Sequence, residues 1–450
     1  MKVSIIGTGY VGLVTGVCLA AKGHTVVCVD VDRRKVEQIN RGEAPFHEPG
    51  LPELLRGSLG RRFNATDDLE GSVLGSDLTL VAVGTPLRGR RIDLRYVQLV
   101  AGQIGRALAR KTRYHVVVVK STVVPGTTDG VILPILERTS GKRAGIDFGV
   151  GMNPEFLSEG EALGDFMRPD RIVLGGIDRR TLAALDRLYR PFRGVPILRT
   201  GTRTAEMIKY TSNALLASLI SFSNEIGSLC EAIGGIDCEE VMQGVHLSQY
   251  LSPQMPSGRR LRAPATAFLR AGCGFGGSCL PKDTRALIAR GRDAGSPMPL
   301  LERVMRINDR QPERMLDLLR RHVPSLEGLP VAVLGLAFKP GTDDLRESPA
   351  IHIVRRLLDA KAAVRLYDPV AMPAARQAGL FDGGCYAASL QDAIEPATAA
   401  LVVTAWPEFR RLEKLPPDRR RSLLVVDGRR LLDKRRFERY EGIGLGPTTA

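Results

Sequence analysis

Short apolar runs rich in β-branched residues alternate with helical stretches along the first 200 residues of the chain. Such runs are typical of buried strands, and they lie at Val3–Ile6, Thr25–Val29, Leu78–Val83, His115–Val119 and Arg171–Leu174. Strands that alternate with helices predict βαβ units, and hence a parallel sheet that is covered by helices on both faces.

The pattern changes after residue 200, where one long helix is predicted over Thr202–Ile233 with no glycine or proline before Gly227. This length exceeds that of an average globular helix and indicates a connecting or dimer-forming element. A loop rich in Pro, Gly, Ser and Arg follows over residues 248–277. Further helices are predicted from about Lys282 and over Leu300–Arg320.

A second alternating series begins near residue 331. Its predicted strands are Val331–Leu334, Ala363–Tyr367, Ala400–Thr404 and Leu423–Asp427, with a helix over Ser348–Asp359. We therefore predict an α/β domain over residues 1–200, a helical middle domain over 201–322 and a second α/β domain over 323–450.

The composition of the 450 residues, 44% apolar and 25% charged, is that of a globular protein with two or three domains. Since no run of eighteen apolar residues occurs, we expect a soluble cytoplasmic protein without a membrane partner or a signal peptide. The formal charge of +15 arises from scattered basic residues without an aromatic stripe, which argues against a nucleic-acid partner. The seven cysteines include no Cys-x-x-Cys pair, so we predict neither a disulfide framework nor a metal site.

A glycine-rich turn, Gly7-Thr-Gly9-Tyr10-Val11-Gly12, leads from the first strand into a helix. The first glycine permits a tight turn, the second lets the backbone approach a pyrophosphate, and the third allows close packing of the helix on the strand. Asp30 ends the next strand eighteen residues later, where a carboxylate binds the adenosine ribose and repels a 2′-phosphate. The turn predicts a site for NAD rather than NADP, and Lys35 is either a cofactor contact or a solvated helix residue.

The segment Phe268–Asp283, FLRAGCGFGGSCLPKD, contains a candidate nucleophile. Pro281 suits the first turn of a helix, which places Cys279 at about the N-cap. The helix dipole and Lys282 both lower the pKa of a thiol at that position and favour the thiolate. Cys273 lies in the same loop, but no helix start follows it. The pattern around Cys18, Cys28, Cys230 and Cys238 is typical of small buried side chains.

Three further polar segments are candidates for the same chemistry. Lys209 and Asn213 are four residues apart and therefore lie on one helix face. This pair is either a buried polar site or solvent-exposed. Glu155 and Glu159 follow a strand, and each is either a general base or an acid at a helix N-terminus. The segment 335–348 keeps a glycine, a lysine and an arginine but not the full glycine motif, so it is either a phosphate-binding loop or an ordinary solvated one.

Taken together, these motifs resemble the UDP-glucose/GDP-mannose 6-dehydrogenase family from Val3 to about Leu432. The combination of Asn153-Pro-Glu-Phe-Leu with Gly274-Phe-Gly-Gly-Ser-Cys is highly specific. Further matching segments are Gly42–Leu51, Val83–Pro86, Ser121–Thr127, Pro169–Arg171, Thr404–Trp406 and Asp427–Arg429. The resemblance implies two Rossmann-like parallel-sheet domains, joined by a helical middle domain and by a long central helix that forms a homodimer or a higher homo-oligomer.

The resemblance also implies a reaction, the oxidation of the C6 alcohol of a nucleotide sugar to a carboxylate by two NAD⁺. The implied catalytic residues are Cys279, Lys209, Asn213, Asp283, Glu155 and Thr122. Cys279 traps the aldehyde as a thiohemiacetal, whose oxidation gives a thioester. Glu155 activates the water that hydrolyses it, with Glu159 in support, while the Lys, Asn and Asp side chains handle protons and stabilise the oxyanion.

The same resemblance implies two sets of contacts. The implied cofactor contacts are Gly7, Gly9, Tyr10, Val11, Gly12, Asp30, Lys35, Thr85, Pro86, Ser121, Thr122, Glu159, Lys282 and Arg346. The implied substrate contacts are Glu155, Phe156, Leu157, Lys209, Asn213, Phe268, Leu269, Arg270, Phe275, Gly276, Phe338, Lys339 and Arg429.

The implied substrate is UDP-glucose, because segment 159–171 is more similar to the UDP-glucose branch of the family than to the GDP-mannose branch. TDP-glucose, GDP-mannose and UDP-N-acetyl sugars stay open as alternatives. The segment 251–267 departs from the family, in which an arginine reaches the sugar bound by a neighbouring subunit, and Arg260 or Arg262 is a substitute here.

Two other classes of protein are compatible with part of the pattern. A two-electron hydroxyacid or sugar-acid dehydrogenase shares the glycine turn and the Lys/Asn pair, but it needs neither Cys279 nor a second α/β domain. A non-catalytic nucleotide-binding protein does not need Cys279, Lys209 and Asp283 together. The ratio of NADH formed to sugar consumed distinguishes these classes.

Overall fold

The structure is a computed structural model that describes residues 1–447 and forms two compact units. The first unit comprises residues 1–212 and 289–295, and the second comprises residues 213–288 and 296–450, of which 448–450 lie outside the described part. The long helix has the predicted bounds, Thr202–Ile233, and its chain passes from the first unit into the second. The three predicted domains stay a proposal.

The first unit contains an eight-stranded sheet and a short hairpin. The strands are β1 Lys2–Ile6, β2 Thr25–Val29, β3 Phe63–Thr66, β4 Leu78–Val81, β5 Leu87–Arg88, β6 Arg91–Ile92, β7 His115–Val119, β8 Phe148–Met152, β9 Ile172–Gly176 and β10 Ile197–Thr200. The helices are α1 Tyr10–Ala21, α2 Arg33–Asn40, α3 Leu51–Ser58, α4 Leu69–Gly75, α5 Arg95–Arg110, α6 Leu133–Ser140, α7 Ala162–Met167 and α8 Arg179–Tyr189. The strand order in the large sheet is β10-β9-β8-β7-β4-β1-β2-β3.

This sheet is parallel from β8 to β3, as the alternating pattern predicts, and it departs from that pattern at one place. β9 runs antiparallel to β8, with Gly151 opposite Gly176, and β10 is parallel to β9. The strand predicted at 171–174 is observed at Ile172–Gly176, one residue later. It runs in the direction opposite to that of β8. Periodicity reports that a strand is buried but carries no information on its direction, so the sequence could not reveal the reversal.

The hydrophobic core of the first unit lies on both faces of the sheet. Along β7, Val116 and Val118 belong to one buried cluster, whereas Val117 and Val119 belong to another. Successive side chains of a strand point to opposite faces, so a continuous run of valines fits only a strand that is covered twice. The observed layers confirm the predicted α/β class.

The second unit begins with the end of the long helix, α9 Thr202–Ile233, and continues with α10 Cys238–His246, α11 Leu280–Asp293 up to residue 288, and α12 Pro299–Arg320. Its strands are β11 Pro330–Leu334, β12 Ala363–Tyr367, β13 Cys385–Tyr386, β14 Ala399–Val402, β15 Leu424–Asp427 and β16 Tyr440–Gly442. Its remaining helices are α13 Pro349–Asp359, α14 Met372–Ala378, α15 Leu390–Ile394 and α16 Pro417–Ser422.

The second sheet has the order β13-β12-β11-β14-β15-β16, and every neighbouring pair is parallel. Val331 and Val333 of β11 pack into one cluster, and Ala332 and Leu334 pack into another. This domain is therefore also a doubly covered sheet. Within the described residues, no helix combines the length and the apolar character that crossing a membrane requires.

Candidate active site

The glycine turn between β1 and α1 has the geometry of a dinucleotide-binding loop. Gly7 has a φ of +104°, and a Cβ there would lie 2.8 Å from the carbonyl oxygen of Ala82. A Cβ at Gly12 would lie 2.0 Å from the carbonyl oxygen of Gly7, so neither position tolerates a side chain. At Gly9, by contrast, no atom within residues 1–447 lies within 4 Å of such a Cβ. The open space beside Gly9 fits a pyrophosphate.

The helix α1 begins at Tyr10, directly after Gly9. No side chain among the described residues caps its first turn, so backbone N–H groups stay available to an anion. The hydroxyl of Tyr10 donates to the carboxylate of Glu48, which also accepts the backbone N–H of Gly160 at 2.6 Å. This buried carboxylate thereby connects the start of α1 to the loop that carries Glu159. In the sequence, Glu48 lies within the matching segment Gly42–Leu51, and no local signal there marks it as a site residue.

Asp30 follows β2, as predicted, and it organises the glycine turn. Its Oδ2 accepts the backbone N–H of Thr8 at 2.9 Å and the Thr8 hydroxyl at 2.6 Å, and its Oδ1 accepts the N–H of Asp32 at 3.1 Å. Burial raises the pKa of Asp30, but these hydrogen bonds and the charge of Lys35 outweigh it, so the pKa is lowered overall. The carboxylate is therefore ionised at neutral pH, as a group that repels a 2′-phosphate must be.

Two loops follow β4 and β7, which are neighbours in the sheet. The Thr85 hydroxyl donates to the carbonyl of Thr122 at 2.8 Å, and the Ser121 hydroxyl donates to that of Val83 at 2.6 Å. Pro86 belongs to the first loop, and its carbonyl accepts the N–H of Asp93. These predicted cofactor contacts therefore lie at the carboxyl end of a parallel sheet, where ligands bind in open α/β folds.

A buried ion pair joins the loop after β8 to the first half of α9. Lys209 Nζ lies 2.9 Å from Glu155 Oε1, and the two side chains are 3% and 5% exposed. The second oxygen of Glu155 accepts the N–H of Leu157 at 2.7 Å. Lys209 is therefore buried rather than exposed, and Glu155 lies in a loop rather than at a helix start, while its role as a general base stays a prediction. Burial raises the pKa of Glu155, but the two lysines Lys209 and Lys120 and the Leu157 bond lower it overall.

Aromatic and basic side chains surround this pair. The ring of Phe156 lies 5.6 Å from Lys209 Nζ and 3.9 Å from the guanidinium carbon of Arg171. Arg171 also donates to the hydroxyl of Ser212 at 3.2 Å. Arg171 ends the matching segment Pro169–Arg171, but the sequence does not mark it as a site residue, because only the fold brings it to Phe156.

Cys279 directly precedes α11, so the predicted N-cap position is confirmed. Its carbonyl accepts the N–H of Asp283 at 2.9 Å, and its thiol lies 3.5 Å from the hydroxyl of Ser278. Cys279 is partly exposed, in contrast to Cys273, which is fully buried with its thiol 3.5 Å from the carbonyl of Val403. Burial raises the pKa of Cys273 and keeps it a thiol.

Asp283 lies on the first turn of α11 and is 1% exposed. Its Oδ2 accepts the Asn213 amide at 2.6 Å, and its Oδ1 accepts Lys282 Nζ at 2.5 Å. The second unit therefore holds Asn213, Lys282 and Asp283 in one network beside Cys279. Lys282, predicted to contact the cofactor, is engaged by this carboxylate.

The loop before Cys279 packs closely on the loop after β11. A Cβ at Gly276 would lie 2.2 Å from the carbonyl oxygen of Glu347, and one at Gly277 would lie 2.7 Å from the ring of Phe338. The N–H of Gly277 donates to the carbonyl of Arg346 at 2.8 Å. Gly276 is thus required by contact with the backbone of Glu347, and Gly277 by contact with the ring of Phe338.

Arg429 lies at the carboxyl end of β15, where the second sheet can receive a ligand. It donates to the carbonyl of Val403 at 2.7 Å and to that of Gly274 at 2.9 Å, and so fixes the Cys279 loop to the sheet. Phe275 is buried in the same loop and its N–H donates to Asn308. The structure therefore places Phe275, Gly276, Phe338 and Arg429 together, with Lys339 next in the chain.

Other predicted contacts have different surroundings. The guanidinium of Arg270 pairs with Glu239 at 2.5 Å, and that of Arg346 pairs with Asp344 at 2.7 Å. Leu269 is buried, and its carbonyl accepts the ring N–H of His246 at 3.1 Å. The predicted ligand contacts of Phe268, Leu269, Arg270 and Arg346 therefore stay predictions.

In the second sheet, the aspartate at the place equivalent to Asp30 has more hydrogen bonds to the protein than Asp30 has. Asp368 follows β12, the place that corresponds to Asp30, but its carboxylate accepts the N–H groups of Leu336 and Ala337 from the loop after β11. It also accepts the indole N–H of Trp406 at 3.1 Å. An acid that already bonds the loop and a neighbouring indole has less capacity left for a ribose, which agrees with the incomplete glycine motif there.

The dinucleotide turn with its ionised Asp30, and separately a partly exposed thiol in the second unit beside the buried Asp283, are features of an NAD-dependent oxidoreductase. Comparison with known proteins gives the family. The UDP-glucose/GDP-mannose dehydrogenase family matches through its NAD binding domain at residues 1–193, its central domain at 203–310 and its UDP binding domain at 332–434. The chain belongs to this family of NAD-dependent nucleotide-sugar 6-dehydrogenases, which confirms the predicted family, fold class and cofactor.

Individual relatives cover nearly the whole chain. It is 46% identical over 448 residues to UDP-glucose 6-dehydrogenase AglM of Haloferax volcanii, covering 98% of this chain and 100% of that protein. It is 42% identical over 376 residues to GDP-mannose 6-dehydrogenase of Pseudomonas aeruginosa, covering 82% of this chain and 81% of that protein. A solved UDP-glucose dehydrogenase from Pyrobaculum islandicum is 40% identical, with a TM-score of 0.90 and coverage of 98% and 97%.

We expect a strong preference for NAD⁺ over NADP⁺ that depends on Asp30. Asp30→Ser removes the negative charge and should reduce the ratio of kcat/KM for NAD⁺ to kcat/KM for NADP⁺ by at least tenfold, or about 1.4 kcal/mol. The variant also loses the bonds to Thr8, but this loss affects both cofactors and therefore does not change the ratio. Asp32→Ser is the matched control, since Asp32 caps α2. An unchanged ratio in Asp30→Ser would show that the charge of Asp30 does not determine the cofactor preference.

Proposed function

We propose that the protein oxidises UDP-glucose at C6 to UDP-glucuronate, with two NAD⁺ consumed and a thioester on Cys279 as the intermediate. The observation that carries this proposal is the contrast between its two loop cysteines. Cys279 is partly exposed at the start of α11, whereas Cys273 is fully buried. A thiol at a helix N-terminus is stabilised as the thiolate, which is the nucleophilic form.

NAD⁺ when bound supplies the hydride acceptor for both oxidation steps. Lys209 and Asp283 are the proposed groups for taking the proton of the C6 hydroxyl, and the Asn213 amide is proposed to donate a hydrogen bond to the oxyanion. The resulting aldehyde adds the Cys279 sulfur to its carbonyl carbon and becomes a thiohemiacetal, which loses a second hydride and a proton to give the thioester. Water then attacks the thioester carbon, and the Cys279 sulfur leaves with the electrons of the C–S bond.

Glu155 suits the hydrolysis step as a general base. Its pKa is lowered overall, so it is ionised at neutral pH although it is buried. A buried carboxylate has little competing solvation, and its proton affinity changes when its lysine partner changes charge. Thr122 and Glu159, which lie in the loops after β7 and β8, are proposed to support the same chemistry.

The choice of UDP-glucose rests on two observations of unequal strength. The Haloferax relative, whose name is that of a UDP-glucose enzyme, aligns over 98% of this chain, whereas the Pseudomonas GDP-mannose enzyme aligns over 82%. The cationic Arg429 and Lys339 at the carboxyl edge of the second sheet suit a diphosphate. The uridine diphosphate is proposed to bind there, within the matched UDP binding domain.

We also propose that two copies of the chain associate through α9. Large apolar side chains on this helix are exposed at intervals of seven, seven and four residues. They are Leu215, Phe222, Leu229 and Ile233, between 50% and 58% exposed. Side chains at these intervals lie on one face of the helix and form an exposed apolar stripe. The same stripe on a second copy of the chain could pack against it.

Cys279→Ala should lower kcat to below about one-thousandth of the unmodified rate, because the thioester cannot form. The unmodified enzyme should release two NADH for each sugar consumed. Cys273→Ala is the control, and we expect it to destabilise the fold by about 1 kcal/mol while turnover continues. One NADH per sugar with a free aldehyde product would contradict the thioester intermediate. A Cys273→Ala protein that folds but is inactive would show that the assignment of the nucleophile to Cys279 is wrong.

Among UDP-glucose, TDP-glucose, GDP-mannose and UDP-N-acetylglucosamine, we expect the highest kcat/KM for UDP-glucose. TDP-glucose should be the nearest competitor, since it adds one methyl group to the base, and a methyl contributes only about 1–3 kcal/mol in a pocket. Rates under one set of conditions, with product mass measured for each sugar, check this. A tenfold higher kcat/KM for GDP-mannose or the N-acetyl sugar would show that UDP-glucose is the wrong substrate, but it would not contradict the thioester mechanism.

Sedimentation of the intact protein should give about twice the chain mass of 48.9 kDa. The double variant Phe222→Glu/Leu229→Glu places two charges in the exposed stripe and should shift the protein to the monomer. Leu300→Glu is the matched control, because Leu300 is an exposed leucine, at 69%, on another helix. A double variant that sediments like the unmodified protein would exclude this face as the contact.

A further inference from the structure

A second buried lysine, Lys120, lies close to the Glu155–Lys209 pair. It directly follows β7, its backbone N–H donates to the carbonyl of Val81, and it is 2% exposed. Its ammonium group donates to Asn153 twice, to the side-chain oxygen at 3.0 Å and to the main-chain carbonyl at 3.3 Å. A buried ammonium group that bonds one residue through both oxygens restricts the position of that residue.

Asn153 is the start of the segment that carries Glu155. Its N–H donates to the carbonyl of Val119, and its side-chain amide donates to that of Val173 at 2.9 Å. Its side-chain oxygen accepts the hydroxyl of Tyr189 as well as the ammonium group of Lys120. Asn153 is therefore fixed to neighbouring strands of the first sheet, and only Pro154 separates it from Glu155.

The charged groups around this segment include Glu155, the amines of Lys120 and Lys209, and the guanidinium of Arg171 against Phe156. Glu155 faces Lys209, which it contacts, and Lys120 at longer range, while the charged neighbours of Lys120 are Glu155 and Lys209. Burial lowers the pKa of Lys120 to about 8, with Lys209 acting in the same direction and Glu155 opposing both. Lys120 is thus mostly a cation at neutral pH.

We propose that Lys120 is a positioning residue for the hydrolysis of the thioester: it anchors Asn153, and with it Glu155, and supplies a second positive charge that keeps this carboxylate ionised. This inference rests on the proposed role of Glu155 as the base. It adds a distinct function for the second amine. Lys209 is proposed to exchange protons during oxidation, so its charge is not constant, whereas Lys120 bonds Asn153 and stays out of that exchange.

The pH dependence of turnover tests this inference, and its sign follows from the charge. Removing a positive charge near Glu155 raises the pKa of Glu155, so the carboxylate becomes protonated at a higher pH. In Lys120→Met, the acid limb of the kcat profile should therefore move up by about one pH unit. KM for the nucleotide sugar should stay within about twofold, because Lys120 does not contact the substrate in this proposal.

Two variants separate charge from packing. Lys120→Arg keeps the positive charge and should keep the acid limb of the unmodified enzyme. Lys111→Met is the matched control, since Lys111 is also buried in the first unit and its ammonium group donates to the carbonyls of Val73 and Ser76. It should lower the melting temperature without moving the acid limb. If Lys120→Met does not fold, Lys120→Gln, which is neutral but can still donate to Asn153, carries the same expectation.

Glu155→Gln distinguishes failure of this inference from failure of the proposed function. With the proposed function correct, Glu155→Gln accumulates a covalent sugar adduct that is measurable by protein mass. If this adduct forms but Lys120→Met lowers kcat by one factor at every pH, or leaves the profile unchanged, the inference about Lys120 is wrong. If Glu155→Gln turns over normally without an adduct, the role of Glu155 itself is wrong.

Discussion

The buried pair of Glu155 and Lys209 is the interaction on which the arrangement of the first unit depends. Removing a carboxylate and an ammonium group from water is costly, and a buried pair that loses one partner is destabilised by about 3–5 kcal/mol. The two groups come from elements far apart in sequence, the loop after β8 and the long helix α9. The position of α9 along its axis is therefore constrained, since displacement by one turn would leave both charges unpaired in the core.

Local sequence signals predicted much of the fold and part of the site. The bounds of α9 follow from a long stretch without helix breakers, and the place of Cys279 follows from a proline in the next turn. The glycine turn and Asp30 were predictable because their geometry is determined by a few neighbouring residues. All of these features depend on short-range steric and hydrogen-bonding requirements, which a pattern of residues records directly.

Other features depend on contacts between distant residues, and the sequence could not settle them. Whether Lys209 is buried or exposed is decided by Glu155, which lies 54 residues earlier in the chain. Lys120 had one local signal, a lysine directly after a run of valines, but its partner Asn153 follows another strand. The reversal of β9 is similarly invisible, since burial gives a strand the same composition in either direction.

The two sheets show how one architecture supports two kinds of ligand site. Each places an aspartate after its second strand, beside the loop that follows its first strand. Asp30 bonds Thr8 and Asp32 and is only partly buried, whereas Asp368 is 1% exposed and bonds Leu336, Ala337 and the indole of Trp406. A carboxylate whose lone pairs are occupied by the protein stabilises its loop, and one that keeps capacity toward solvent can also bind a ribose. The two sheets therefore differ in the hydrogen bonds of the aspartate at equivalent places. In the first sheet Asp30 can also bind a dinucleotide, whereas the second sheet must recognise its ligand through other groups.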